Sequence, residues 1–278
     1  MRRASQLAIL GLFLAGPLAG VWLVKGNLNF SYTLDFLPLT DPYVLAQSLA
    51  AGHTPASTAL IGAAIALAFY LLVGGRVYCA WVCPMNMVTD AAAWLRARLG
   101  VRSSTFLSRR MRYWILAMTF ALALGTGTIA WELANPVSML HRALIFGVGA
   151  AWAVVLTVFL FDLFVAKRGW CGHLCPVGAF YSLLGRFALP RVVAARRADC
   201  DDCMDCYAVC PEPQVITPAL KGDKGVAPQG GSPVVLSPNC TTCGRCIEVC
   251  GKNVFEFGTR FRGAAPRIVK LAEPKEAT

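Results

Sequence analysis

The sequence predicts an α-helical membrane protein with four transmembrane helices, arranged as two repeated hairpins and followed by a C-terminal α+β domain built around paired cysteine motifs. Three observations predict it. The 278 residues are 56 % hydrophobic and only 15 % charged, with a positive mean hydropathy, which leaves too little polar surface for a soluble single domain. Four apolar runs approach the length that a hydrocarbon core of about 30 Å demands. Twelve cysteines fall, by spacing, into three sets of four.

The first run, Leu7 to Val24, follows Arg2 and Arg3. Pro17 interrupts the best cleavage-like stretch and Trp22 follows as an interfacial anchor, so a retained helix is expected rather than a signal peptide. Lys25 to Ser57 reads as a polar connection punctuated by Pro38, Pro42 and Pro55. Within it, Asp41-Pro42 starts a short helix whose Tyr43, Leu45, Ala46 and Leu49 form an apolar stripe suited to an interface. His53 is read as a loop histidine. Thr58 to Val73 is the second span, Tyr113 to Trp131 the third and Ala143 to Ala166 the fourth, with Glu132 to Arg142 a short outer turn broken by Asn135-Pro136. Met87 to Leu99 is expected to lie along the membrane surface.

The net charge of +11 raises the question of nucleic acid, but the basic residues form no aromatic-interleaved groove and sit instead at the ends of apolar runs. Arg76, Arg96, Arg98, Arg102, Arg109, Arg110 and Arg112 crowd one connection, whereas the connection after the first span begins with Lys25 alone. By the positive-inside rule the expectation is a multi-pass protein of the bacterial inner (cytoplasmic) membrane with both termini cytoplasmic.

The two hairpins end in the same phrase. Tyr78-Cys79-Ala-Trp-Val-Cys83-Pro84 follows the second span, and Trp170-Cys171-Gly-His-Leu-Cys175-Pro176 follows the fourth. In a helix this spacing puts both sulfurs on one face, and the prolines suit the first position of the next helix, where a preceding thiolate is stabilised. Cys79, Cys83, Cys171 and Cys175 are open to three readings: two redox-active dithiols, one converged metal or cluster site, or packing residues. His173 is a candidate added ligand or proton carrier.

Nearer the C-terminus, Cys200, Cys203, Cys206 and Cys210 repeat the interval of Cys240, Cys243, Cys246 and Cys250. This C-x2-C-x2-C-x3-C spacing, used twice, is that of a two-cluster bacterial ferredoxin, in which three thiolates of one motif hold a 4Fe-4S cube and the fourth reaches the other cube. Zinc knuckles lack the third and fourth intervals, and disulfides between such near neighbours are strained. One cluster is therefore assigned to Cys200, Cys203, Cys206 and Cys250, the other to Cys240, Cys243, Cys246 and Cys210. Pro211 follows the first motif, but Gly251 follows the second. The expected organisation is a helical domain over 1–190, a 2x(4Fe-4S) ferredoxin-like domain over 191–271 and a disordered tail over 272–278, with Gly222 to Pro238 as a surface loop.

Four further residues are candidates for proton handling beside a quinol. Asp162 is a carboxylate within an apolar run, functional by default at such depth, with pairing toward Lys167 and Arg168 as the alternative. Glu132, His141 and Arg142, with Asn135, cluster at the opposite end.

Together these residues resemble the NapH family, the ferredoxin-type membrane subunits of the periplasmic nitrate reductase system. The resemblance runs through Gly16-Pro17, Gly20-Val-Trp22, Pro38-Leu-Thr-Asp-Pro42, Gln47-Ser-Leu-Ala, Trp81-Val-Cys83-Pro84, Asn135-Pro136-Val137-Ser138, Phe161-Asp162-Leu163, Gly169-Trp170-Cys171-Gly172-His173 and both cysteine motifs. It implies an electron-transfer subunit of a quinol dehydrogenase rather than a self-contained enzyme. Such a subunit draws on the quinone pool in the membrane lipid and works with a NapG-like iron-sulfur protein and, in some systems, a membrane-anchored multihaem cytochrome. The alternative is a polyferredoxin for maturation or redox maintenance of another metalloenzyme, methylamine-utilisation-like or copper-assembly-like.

Overall fold

The computed structural model describes residues 1–101, 105, 107–147, 149–222 and 231–261. The expected tail over 272–278, Arg102 and residues 223–230 of the Gly222 to Pro238 loop lie outside the described residues. The chain divides into two bodies, one formed by Met1–Pro190 with Ser237–Cys243, the other by Arg191–Leu236 with Gly244–Thr278.

In the first body, α1 (Arg2–Ala19) ends at Gly20, whose left-handed φ of 72° a side chain would disfavour. A three-stranded antiparallel sheet follows, with β1 (Val24–Gly26), β2 (Phe30–Thr33) and β3 (Leu37–Thr40) in that order. Val24 pairs with Thr33, and Tyr32 with Pro38. Asp41 then caps α2 (Pro42–Ala50), its carboxylate accepting from the Tyr43 amide, and Pro42 sits where no amide hydrogen is needed. The helix turns Tyr43 and Gln47 inward, while Leu45 and Ala46 of the expected stripe are half-buried and Leu49 is exposed.

Next come α3 (Ser57–Val73), a π-helical turn over Tyr78–Val82, α4 (Met85–Arg98) and α5 (Met111–Thr126). They are followed by α6 (Pro136–Phe146), capped by Asn135, then α7 (Gly149–Leu160), π-helical turns over Phe161–Val165 and Trp170–Leu174, and α8 (Pro176–Leu184). β3 packs on α3, and α5 on α8. Tyr43, Tyr78, Leu116, Trp131, Val177, Ala179 and Tyr181 form one core cluster, and Met85, Val137, Leu140, Val155 and Val158 another.

This architecture corrects the four-span expectation and the inner-membrane localisation drawn from it: among the described residues no helix is long and apolar enough to cross a membrane. The third run yields 16 residues in α5, about 24 Å at 1.5 Å per residue. The fourth run is broken at Gly147, in the left-handed region, and again at the π turn that begins at Phe161, so that α7 keeps only 12 residues. The arginine asymmetry also has an internal cause. Arg76, Arg96 and Arg112 are buried and donate to backbone carbonyls, while Asp90 on α4 draws in Arg2, Arg3 and Arg168.

In the second body, β4 (Pro190–Val193) and β5 (Glu256–Thr259) pair as a two-stranded sheet. Val193 also bridges Val234. Three short helices, α9 (Asp205–Val209), α10 (Ile216–Lys221) and α11 (Arg245–Val249), complete it, with α9 packed on α11.

Candidate functional site

The two C-x3-C-P phrases fold alike. Each begins with a π-helical turn closed by an amide-to-carbonyl bond of 2.9 Å across five residues, Cys83 to Tyr78 in one and Cys175 to Trp170 in the other. Such a turn brings residues four apart nearly into line. The second cysteine of each leaves the turn extended, at φ −65° and ψ 119° for Cys83 and φ −67° and ψ 112° for Cys175. Cys175 then caps α8, its sulfur accepting from the Gly178 amide at 3.5 Å.

The halves converge. Cys79, Cys83, Cys171 and Cys175 line one narrow chamber of about 30 Å³, closed by Tyr78, Trp131, Trp170 and Met85. His173 is not among its lining residues. Burial pushes the Cys83, Cys171 and Cys175 thiols up, Cys175 to about 11, and the sulfurs facing one another across the repeat add to the rise. Four thiolates cannot share this chamber uncompensated. As neutral thiols they bring no charge into the chamber, and an iron-sulfur centre would take them as thiolates, because coordination deprotonates thiols outright.

Buried polar groups hold the chamber's loops. Gln6 on α1 donates to the Ala80 and Cys83 carbonyls at 3.0 and 3.2 Å. Asp162 accepts from the Trp170 amide at 2.9 Å, and Arg96 holds the Asp162 and Leu163 carbonyls at 3.4 and 2.7 Å. Arg76 reaches the Cys171 carbonyl at 3.3 Å and the Asn239 carbonyl at 3.0 Å. Arg112 reaches the Gly172 carbonyl at 3.3 Å and the Asn239 side chain at 2.7 Å. The indole of Trp81 donates to the Thr242 carbonyl at 3.2 Å. The segment carrying Cys240 and Cys243 is thereby tied to the loops carrying the other four cysteines.

In the second body, Cys200, Cys203, Cys206 and Cys250 line a single cavity of about 20 Å³. The two ferredoxin-type motifs match in backbone: Asp202 and Thr242 have φ of 58° and 49°, and Met204 and Gly244 have 64° and 75°. Left-handed residues at both intervals fold the loop so that its amides turn inward. Cys246 and Cys210 belong to this body, whereas Cys240 and Cys243 belong to the first. Among the described residues no group of three or more His, Cys, Asp or Glu side chains is close enough to hold a single metal ion. A cube interposes four irons between its thiolates and so tolerates wider separations than one ion does.

Two stretches match the 4Fe-4S binding domain model, residues 56–102 and 148–193, one for each C-x3-C-P phrase. Residues 199–262 match the 4Fe-4S dicluster domain model. The ferredoxin-type protein NapH of Haemophilus influenzae is 52 % identical over 94 % of this chain and 89 % of its own length, and that of Escherichia coli 46 % over 95 % and 90 %. The methylamine utilization ferredoxin-type protein MauN of Methylorubrum extorquens is 53 % identical over 96 % and 90 %. This chain belongs to the NapH and MauN family of ferredoxin-type proteins. It is an iron-sulfur electron-transfer protein. No solved structure matches it.

The candidates for proton handling scatter. Glu132 is held by Asn29, Asn135 and Ser138 at 2.8 to 2.9 Å. His141 is buried edge-on to the Phe13 ring, Arg142 is exposed, and Asp162 braces the second cysteine loop. A carboxyl that sequence reading used only as a helix cap, Asp41, is buried among tyrosines. Its Oδ1 accepts from the Tyr43 amide at 2.9 Å and the Tyr181 hydroxyl at 3.1 Å, and burial pushes it up to about 6.

Proposed function

We propose that this chain is an iron-sulfur subunit of a quinol dehydrogenase, delivering electrons from quinol toward a periplasmic nitrate reductase. A NapG-like iron-sulfur protein and, where present, a multihaem cytochrome are the next acceptors. The observation that carries the reading is the meeting of Cys79, Cys83, Cys171 and Cys175 in one chamber whose loops also grip the Cys240 to Cys243 segment. Packing residues have no reason to converge as a symmetric set of four, and Arg76, Trp81 and Arg112 link this set to the second ferredoxin-type motif.

The cysteines fit 4Fe-4S centres in three sets. Cys200, Cys203, Cys206 and Cys250 hold one, on the cavity they share. Cys240, Cys243, Cys246 and Cys210 hold another, on motif spacing. Cys79, Cys83, Cys171 and Cys175 hold the third. Such centres supply one-electron storage at potentials set by hydrogen bonds to sulfur and by solvent access. The chain's own part is to present amides to the thiolates, as Gly178 does to Cys175, and to keep Arg76 and Arg112 beside the anionic loops.

The MauN relatives favour a second reading, redox maintenance within methylamine utilisation. The two separate on the electron donor. Anaerobically purified chain, mixed with a short-tailed quinol, should show reduction of its visible iron-sulfur absorbance, and a NapG-like protein should be reduced in turn. Chain that dithionite reduces but quinol never does, alone or with that protein, would turn the assignment to the second reading.

A further inference from the structure

The four-thiol chamber has a neighbour. A cavity of about 450 Å³ lies in the first body between α1, the strands β2 and β3, and α3, and it is lined almost wholly by apolar side chains. Its polar lining comes from Asp41 and Thr40, each 7 % exposed, and from Ser31 and Thr33 on β2. Thr40 Oγ1 is buried and has no hydrogen-bond partner. An orphaned buried hydroxyl costs free energy unless something completes it.

Three tyrosines also line it, one of them, Tyr181, hydrogen-bonded to Asp41. Tyr78 and Tyr181 stack at 4.8 Å with their planes 16° apart, and Tyr70 stands edge-on to both at 6.0 and 4.9 Å. Tyr78 also lines the four-thiol chamber, so one residue borders both spaces.

Few ligand classes answer this lining. The volume lies within the range of small-molecule sites and holds a substituted aromatic ring with a short length of apolar tail. The adjacent Thr40 and Asp41 call for a ring oxygen that can accept from a hydroxyl and donate to a carboxylate. A plain hydrocarbon chain leaves the Thr40 hydroxyl unanswered, and a charged ligand meets no compensating side chain along the apolar walls.

We propose that this cavity binds the ring of a quinol, one hydroxyl hydrogen-bonded to Asp41 and Thr40, with Tyr78 between the ring and the four-thiol chamber. The proposal rests on the quinol reading above and adds the site.

The test uses full-length, anaerobically purified chain and a photoreactive azido-quinone of short tail, with labelled peptides mapped by mass spectrometry. The label should fall within β2 to α2 and within α3, and excess decyl-ubiquinone should suppress it. Affinity for decyl-ubiquinone, measured by equilibrium dialysis, should drop about tenfold in Thr40→Val, an isosteric change that removes only the hydroxyl. It should be lost in Ala66→Trp, which fills the cavity. Both variants should keep the dithionite-reduced EPR spectrum of the parent, which reports a folded, loaded chain. Labelling confined to Glu132 through Arg142, or affinity unchanged in Ala66→Trp, overturns the site while quinol-driven reduction by the parent keeps the function. A dodecyl alcohol that binds as tightly as the quinone makes this an alkyl pocket and also overturns it. A parent that neither binds quinone nor is reduced by quinol removes both.

Discussion

Replacing Asp41 with asparagine should stabilise the chain near neutral pH and do progressively less as the medium is acidified. Burial raises the Asp41 carboxyl from 3.8 to about 6, about two units at 1.36 kcal/mol each, so ionising it in the folded state costs about 3 kcal/mol. A group whose folded value lies above its unfolded one contributes stability that is complete below about pH 4 and is lost as pH rises through about 6. Integrating across that window, about half is gone by pH 5 and the remaining ~1.5 kcal/mol disappears between pH 5 and 7.5. Asparagine keeps the acceptor at Oδ1 for the Tyr43 amide and the Tyr181 hydroxyl and removes the proton linkage. Tyr43, Tyr70, Tyr78 and Tyr181 face the carboxyl and all stay protonated in this range, because burial pushes each of them up. Anaerobic urea unfolding of parent and Asp41→Asn, followed by tryptophan fluorescence at pH 5, 6 and 7.5, should show the variant's advantage growing by about 1.5 kcal/mol over the series. Parallel pH dependences in the two proteins would refute the claim that Asp41 ionises only at a cost to the fold.

Changing Cys83 and Cys175 together to serine should remove about four irons per chain while leaving the EPR signals of the ferredoxin-type motifs; iron and sulfide analysis reads the first and spectroscopy the second. Cys250→Ser, although it lies in the second motif, should disturb the centre of the first, because Cys250 shares a cavity with Cys200, Cys203 and Cys206; EPR of the single variant tells which signal goes. Gly75→Ala would drive a methyl group against the backbone of Tyr181, whose carbonyl carbon lies 2.8 Å from the added Cβ. α8 must then shift, at a cost of about 1–3 kcal/mol, and Cys175 shifts with it, so iron content should fall toward that of the double serine variant. Arg112→Met should lower thermal stability by about 3 kcal/mol, because the buried Gly172 carbonyl and Asn239 side chain both lose their charged donor; calorimetry of the loaded chain checks it.

What the sequence made legible was the local chemistry. Cysteine spacing is short-range information, and it named all twelve thiols, the repeat and the proline-led helices α4 and α8. Asp41-Pro42 and Asn135-Pro136 announced α2 and α6 because a cap and its proline act within one turn. Hydropathy failed where it was averaged over long runs. Leu60, Phe69, Leu72, Trp114 and Leu124 are exposed and raise the mean as much as buried residues do, and no window average registers Gly147 or the π turn at Phe161. The strands β1 to β3 were missed because Gly26, Asn27, Pro38 and the polar turns read as loop. In the sequence Asp41 reads as a cap alone, because its burial depends on Tyr181, 140 residues away. The arginines misled for a like reason, since Arg76 and Arg112 find their carbonyl partners at long range.

Iron and acid-labile sulfide per chain, measured on oxygen-protected full-length protein and matched to EPR integration of the reduced state, bear most directly on three cysteine sets holding three centres. About twelve of each, with three interacting paramagnets, is the expected result. A value near eight, unchanged when Cys83 and Cys175 become serine, would show the four-thiol chamber to be empty of iron and contradict the arrangement described.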